Sequence, residues 1–202
     1  MQLVPIGRFS QISRLTVKQL RHYDQRRMGE MQVALSLLES IVEQKEGLTV
    51  YEVKVKEVPE QPVLMIRTRT TMAGIAEAMG RAFGELMAYQ GRAGIAPAGP
   101  PLCVYAEDFN GETGGEMWVC VPAPSGVTGE GRVETAALPG GTMATTIHRG
   151  PYDTIGQAYA ALFGWIEEHG HHPAGPMRDV YLTDPDEVPP EEYLTEVLWP
   201  IA

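Results

Sequence analysis

Apolar and polar residues alternate through much of the chain after residue 48. Over 49–57, Tyr51, Val53 and Val55 stand between Glu52, Lys54 and Lys56, the period-two pattern of a half-buried strand. Residues 62–69 read as a second strand. From 73 to 90 the period lengthens, and Ile75, Met79, Phe83 and Leu86 share one face of a helix. Strands at 100–107 and 116–122 follow, joined by a polar, glycine-rich loop, and 123–131 reads as a linker. The plan then recurs. Strands are predicted at 132–138 and 142–148, and a helix at 152–169 with Tyr152, Ile155, Tyr159, Leu162 and Ile166 on its buried face. Two more strands are predicted at 177–183 and 192–199. The predicted fold class is α+β, a strand-strand-helix-strand-strand unit used twice, with halves at 48–124 and 125–202.

A repeat supports this reading. Ala98-Gly99-Pro100 recurs 76 residues later as Ala174-Gly175-Pro176, and Val104-Tyr105 as Val180-Tyr181. At the same offset, without a gap, Glu116 lands on Glu192, Val121 on Val197 and Pro124 on Pro200. Two related halves imply a pseudo-twofold axis and a cleft where they meet.

The first 47 residues carry a different pattern. Residues 5–12 read as a short helix and Ser13-Arg14-Leu15 as a turn. Thr16 is an N-cap for a second helix from Val17 to Tyr23. That is a helix-turn-helix pattern, with Lys18 and Arg21 on one exposed face. From 25 to 46, Met28, Met31, Leu35, Leu38 and Val42 step by three, four, three and four residues, an a/d seam that Gly47 ends. Such a stripe either pairs with a second copy or lies on the body.

Composition sharpens the picture. Of 202 residues, 44% are hydrophobic, enough for a substantial core. No apolar run reaches the length of a transmembrane helix, and the chain opens without a signal-peptide pattern. Cys103 and Cys120 are expected to be free thiols in a reducing cytoplasm. The net charge of −10 is unevenly spread. Residues 1–29 hold Arg8, Arg14, Lys18, Arg21, Arg26 and Arg27 against Asp24 alone. A basic head suits an anionic partner, whereas the acidic body suits cationic ligands.

The stretches Ile6-Gly7-Arg8-Phe9-Ser10 and Leu20-Arg21-His22-Tyr23-Asp24 closely resemble the opening of MerR-family transcription regulators. The resemblance implies promoter DNA as a partner, met by Thr16, Lys18, Gln19, Arg21, His22 and Tyr23. It also implies a homodimer through helix 25–47. That family continues into a wing and two further helices. This chain passes from Asp24 directly to Arg26-Arg27-Met28-Gly29-Glu30, so 1–24 reads as a truncated head. Residues 48–202 resemble the GyrI-like effector-binding domain, through the layout above, His148-Arg149-Gly150-Pro151-Tyr152, Tyr181-Leu182-Thr183-Asp184-Pro185 and the closing Thr195-Glu196-Val197 run. Together they imply a multidrug-sensing regulator.

Strand alternation assigns the cleft. Val180 and Leu182 are expected to face a helix, and Asp179 and Tyr181 the opposite side. Carried through the 76-residue offset, the lining becomes Cys103, Tyr105, Trp118, Cys120, Asp179, Tyr181, Leu194 and Glu196. Rings supply apolar walls, and Glu196, favoured over the shorter Asp179, supplies buried negative charge with no base expected nearby. A hydrophobic aromatic cation would pair with that carboxylate and stack on the rings, at about 0.5–2 kcal/mol per cation–π contact. The chain is thus expected to be a ligand-responsive transcription regulator and not an enzyme. Alternatives are a stand-alone drug-sequestering protein, or a hydrolase in which Glu196 and Tyr181 activate water. No cofactor or metal is expected. Glu167, Glu168, His169, His171 and His172 read as solvated groups at a helix C-terminus, and His148 lacks an evident nucleophile partner.

Overall fold

The computed structural model describes residues 50–202. The expected head over 1–24, with Thr16, Lys18, Gln19, Arg21, His22 and Tyr23, and the seam helix at 25–47 lie outside the described residues.

Eight strands and two helices follow in the order β1 (Lys54–Val58), β2 (Gln61–Thr70), α1 (Ile75–Ala93), β3 (Leu102–Tyr105), β4 (Gly115–Pro122), β5 (Glu134–Leu138), β6 (Gly141–Arg149), α2 (Gly156–Glu168), β7 (Arg178–Tyr181) and β8 (Leu194–Pro200). No helix among the described residues is long and apolar enough to cross a membrane. A short 3-10 turn precedes each helix, at Met72–Gly74 and Tyr152–Thr154. Thr71 caps the first of these turns, its hydroxyl oxygen accepting from the Gly74 N–H at 3.3 Å. Helix α1 ends on Gly94 at φ 65°, a left-handed position that returns its N–H to the Gln90 carbonyl.

The first strand begins later than the alternation predicts. Thr146 Oγ1 donates to the Glu52 carbonyl at 2.9 Å, and Tyr51 and Val53 pack against the α2 core. Side chains therefore fix this segment before the backbone ladder begins.

All the strands form one antiparallel sheet, ordered β1-β6-β8-β7-β3-β4-β2-β5. β1 and β2 lie far apart in that order, yet only Pro59 and Glu60 join them. Likewise only Pro139 and Gly140 join β5 to β6. Such short links require the sheet to curl until its ends meet. The two links do touch: a Cβ on Gly140 would fall 2.5 Å from the Val58 carbonyl oxygen. Helices cover one face of the sheet. Leu86 of α1 packs with Leu64, Ile66, Cys103 and Val119, and Leu162 and Ile166 of α2 pack with Ala144 and Val197. On the far face, Val63, Met65, Leu102, Val104, Cys120 and Leu138 form a buried cluster containing no helix residue.

The order reads alike from both ends once β1–β4 are exchanged for β5–β8. The register gives the matching residues. Cys103 pairs with Asp179, and Leu102–Val180 answers Val104–Arg178. The Tyr105 N–H donates to the Met177 carbonyl at 3.0 Å, and the Tyr181 N–H to the Pro101 carbonyl at 2.9 Å. Here the offset is 76, but it is not constant. Ala98 N–H bonds the Pro122 carbonyl and Ala174 N–H the Pro200 carbonyl, so the last strands correspond at 78 residues. The 3-10 turns correspond at 80. The ungapped alignment is therefore corrected: Trp118 corresponds to Glu196 and Cys120 to Leu198, not to Leu194 and Glu196.

Candidate functional site

Asp179 lies at the centre of the sheet, beside Cys103 on the helix face. It is 1% exposed. Its Oδ2 accepts from the Tyr159 hydroxyl at 2.5 Å and from the Tyr105 hydroxyl at 3.0 Å. Its Oδ1 is buried without a hydrogen-bond partner. Among the described residues it joins no salt bridge. Burial pushes its carboxyl up to about 6, against the pull of the Tyr159 and Tyr105 hydrogen bonds. The phenols of Tyr105 and Tyr159 are held well above their ordinary value, first by burial and then by the Asp179 charge. For Tyr181, burial is followed by Cys103 and then Asp179.

Further aromatic rings pack against Tyr181 and Tyr105. Phe83 of α1 meets Tyr181 edge-on at 5.9 Å, and Tyr152 meets it edge-on at 5.7 Å. Tyr152 in turn stacks on Tyr193 at 5.0 Å and is 41% exposed. Phe109 packs against Tyr105 at 4.9 Å. A buried anion held by phenols and lacking a base can accept a hydrophobic cation, a partner that relieves its desolvation as a proton does.

Half of the lining expected from the sequence sits here. Cys103, Tyr105, Asp179 and Tyr181 share the helix face, as Tyr105 and Tyr181 packing in the α1 cluster shows. The expectation that Val180 faces a helix while Asp179 and Tyr181 face away is overturned, because Val180 packs in the far-face cluster, Tyr181 in the α1 cluster, and Asp179 bonds Tyr159 of α2. Trp118, Cys120, Leu194 and Glu196 do not join the site. β3 pairs Cys103 with Val119 and Val104 with Trp118, so Trp118 and Cys120 share the face of Val104. β8 pairs Glu196 with Val180, which sends Glu196 and Leu194 to that same far face. A one-residue slip between neighbouring strands moves every side chain to the other side.

Glu196 also has a base beside it, contrary to expectation. Its Oε1 accepts from Lys56 Nζ at 2.7 Å and from Thr145 Oγ1 at 2.8 Å. Lys56 reaches it because β1 pairs with β6 of the other half, a neighbour that strand alternation does not reveal. Two cysteines on opposite faces cannot bond, and both are free and buried. Burial raises both thiols, Cys120 to about 12, so they behave as inert apolar groups. Helical spacing puts Tyr159 on the buried face of its helix, but nothing in that spacing marks the hydroxyl as a partner of Asp179. The hydrolytic pairing of Glu196 with Tyr181 is excluded by their opposite faces.

Residues 51–202 match the family of GyrI-like small molecule binding domains. No curated protein matches the sequence. Among solved structures, the EcmrR C-terminal domain aligns at a TM-score of 0.66 and 22% identity, over 76% of this chain and 99% of that one. EcmrR in an EcmrR–DNA complex aligns at 0.68 and 22%, over 100% of this chain and 77% of that one. A hydrolase from Listeria innocua aligns at 0.58 and 19%, over 80% and 98%. SAV2435 bound to tetraphenylphosphonium aligns at 0.56 and 12%, over 75% and 94%.

Proposed function

We propose a function on one premise: this chain belongs to the GyrI-like small molecule binding domain family. Its ligand is a hydrophobic, aromatic cation, held between α1 and α2 with Asp179 as counter-charge and Tyr105, Tyr159 and Tyr181 around it. The observation that carries this reading is the buried, base-free carboxylate of Asp179, whose Oδ1 has no partner. The rings of Tyr152 and Tyr193 move aside to admit the ligand. The likeness to SAV2435, a protein seen bound to tetraphenylphosphonium, supports that cation as a probe. In a calorimetric titration, Asp179→Asn should weaken its binding by about 1–3 kcal/mol, the cost of losing a charged partner. Equal binding by the variant and the parent would overturn the assignment.

The role is that of a ligand-responsive transcription regulator in the cytoplasm. The resemblance of residues 6–24 to MerR-type heads supports it, as does the likeness to EcmrR seen in complex with DNA. The chain pairs with its twin through helix 25–47. Because the head carries few cations, affinity for promoter DNA is weak and steeply salt-dependent. A gel shift across a salt series tests this, and retention of tight binding at high salt would refute the truncated-head reading. Ligand binding without any DNA binding would instead favour a sequestering protein.

The two halves descend from one duplicated unit, a reading supported by the matched registers at offsets of 76, 78 and 80 residues. We hold the domain to be a binding protein. A hydrolase is the second reading, favoured by the Listeria innocua neighbour and by a carboxyl that titrates near neutral pH and so suits a general base. Turnover of an electrophilic substrate, lost in Asp179→Asn, would establish it.

A further inference from the structure

The far face carries a hollow of about 360 Å³, lined by Trp118, Pro176, Glu107, Asp108, Glu116 and Arg69 among others. Its walls are fixed by the backbone. Gly114 has φ 76°, and a Cβ there would fall 2.0 Å from the Thr70 carbonyl oxygen. On Gly115 a Cβ would fall 2.5 Å from Phe109 Cα. The 106–110 loop is thereby pressed onto the start of β4. Asp108 accepts from the Glu116 N–H at 3.2 Å and from Arg69 at 2.5 Å.

Within these walls the Trp118 indole is held in place. Its Nε1–H donates to Glu116 Oε1 at 2.8 Å, and the Arg67 guanidinium lies 5.4 Å from the ring centroid. That guanidinium is itself paired with Glu134 at 3.3 Å. Arg69 neutralises Asp108. Glu107 joins no salt bridge among the described residues, and Glu116 binds only the neutral indole N–H. The hollow therefore keeps two carboxylates outside any of these salt bridges, beside an aromatic wall and a proline, with Arg69 across the ladder from Glu116.

The fold does not demand this set. In the other half the corresponding places hold Ile147 for Arg67, Leu182 for Ala106, Leu194 for Glu116 and Glu196 for Trp118, and both Ile147 and Leu182 are exposed apolar side chains. Identical strand geometry is thus built without an indole and without the Glu116 carboxylate.

We propose that the Trp118 hollow is a second ligand site, separate from Asp179, that takes a small organic cation with an apolar surface, of the quaternary ammonium class. The indole and Pro176 cover the alkyl or aryl groups, and Glu107 and Glu116 neutralise the charge. The proposal does not rest on the function assigned to Asp179.

The test follows the Trp118 indole N–H in ¹H–¹⁵N spectra of the full chain, assigned by its loss in Trp118→Phe, during titration with benzyltrimethylammonium chloride. Potassium chloride at equal ionic strength is the control. The expected result is a saturable shift with the organic cation and none with potassium. Glu107→Gln should raise the apparent Kd by up to about fivefold, the loss set by one exposed ion pair. Asp179→Asn should leave the titration unchanged. No saturable shift, an equal shift with potassium, or a curve indifferent to Glu107→Gln would overturn the proposal. A shift that vanishes in Asp179→Asn would overturn it too, by showing a single site at Asp179.

Discussion

Cys103 and Asp179 occupy matching places on either side of the pseudo-twofold axis, yet one is an inert thiol and the other a desolvated carboxylate. Their surroundings match as well. Tyr105 answers Tyr181, Ala78 answers Ala158, and Leu86 answers Ile166, every pair buried or nearly so. The differences gather on one side. Met79 of α1 stands where α2 has Tyr159, so only the second half supplies a helix hydroxyl to the central acid. What the halves share holds the fold; what they do not share makes the site. A carboxylate at 1% exposure is a cost that packing does not require, since a thiol fills the mirror position.

Equivalence of the halves is tested most severely in the shared core. Leu86→Ala and Ile166→Ala should each destabilise the domain by about 2–5 kcal/mol in chemical denaturation. Costs that differ by much more than this range would mean the halves are not equivalent scaffolds.

Next in size is the unequal pair. Asp179 titrates at about 6 in the folded protein and lower when unfolded, where the carboxyl is solvated. The unfolded chain therefore releases this proton first. Stability from this group is full at pH below about 4, falls as pH rises through about 6, and is then level, a loss of about 3 kcal/mol. Asp179→Asn should abolish that slope and leave the protein more stable than its parent at pH 7.5, measured by urea unfolding at several pH values. Cys103→Ser should leave the slope intact. A parent protein whose stability does not fall between pH 4 and 7 would show that Asp179 is not desolvated as described.

A finer test uses the helix pair. Tyr159→Phe removes a hydroxyl donor from Oδ2 and should raise the Asp179 carboxyl further, weakening the protein at pH 7.5 by about 1.5–3 kcal/mol. Met79→Leu, at the matching place, should cost less than about 1.5 kcal/mol and leave that titration unmoved. Carboxyl ¹³C chemical shifts followed against pH separate the two.

A still smaller change is expected at Glu196. Its pair with Lys56 is partly exposed, with side chains at 18% and 42%. Glu196→Gln should change stability by about 1 kcal/mol or less and leave cation binding at Asp179 untouched. A large loss of tetraphenylphosphonium binding would reinstate Glu196 as the ligand's partner.

These residues also show what could be read from the sequence. The order of strands and helices was legible, because Tyr51 to Val55 alternate and Ile75 to Leu86 recur at helical spacing. So was the sharing of one face by Cys103, Tyr105, Asp179 and Tyr181, since alternation within β3 and β7 is a local property, but that the helices cover this face was not. Relations between strands were not. Whether Trp118 stands beside Cys103 or Val104 is decided by ladder register, and whether Glu196 has a base is decided by an edge strand borrowed from the other half. The 76-residue offset held only where loops have equal length. Insertions shift it to 78 and 80, and the constant offset misplaced Trp118 onto Leu194. The Tyr159 hydroxyl was hidden for another reason: an aromatic on an apolar stripe carries no sign that its polar end has a task.

The short links at Pro59-Glu60 and Pro139-Gly140 have one more implication. Each delivers an outer strand to the opposite half, β1 to β6 and β5 to β2, so the halves clasp one another by their margins. Neither can come apart without unzipping its sibling. The two halves are therefore expected to unfold together, as one cooperative body.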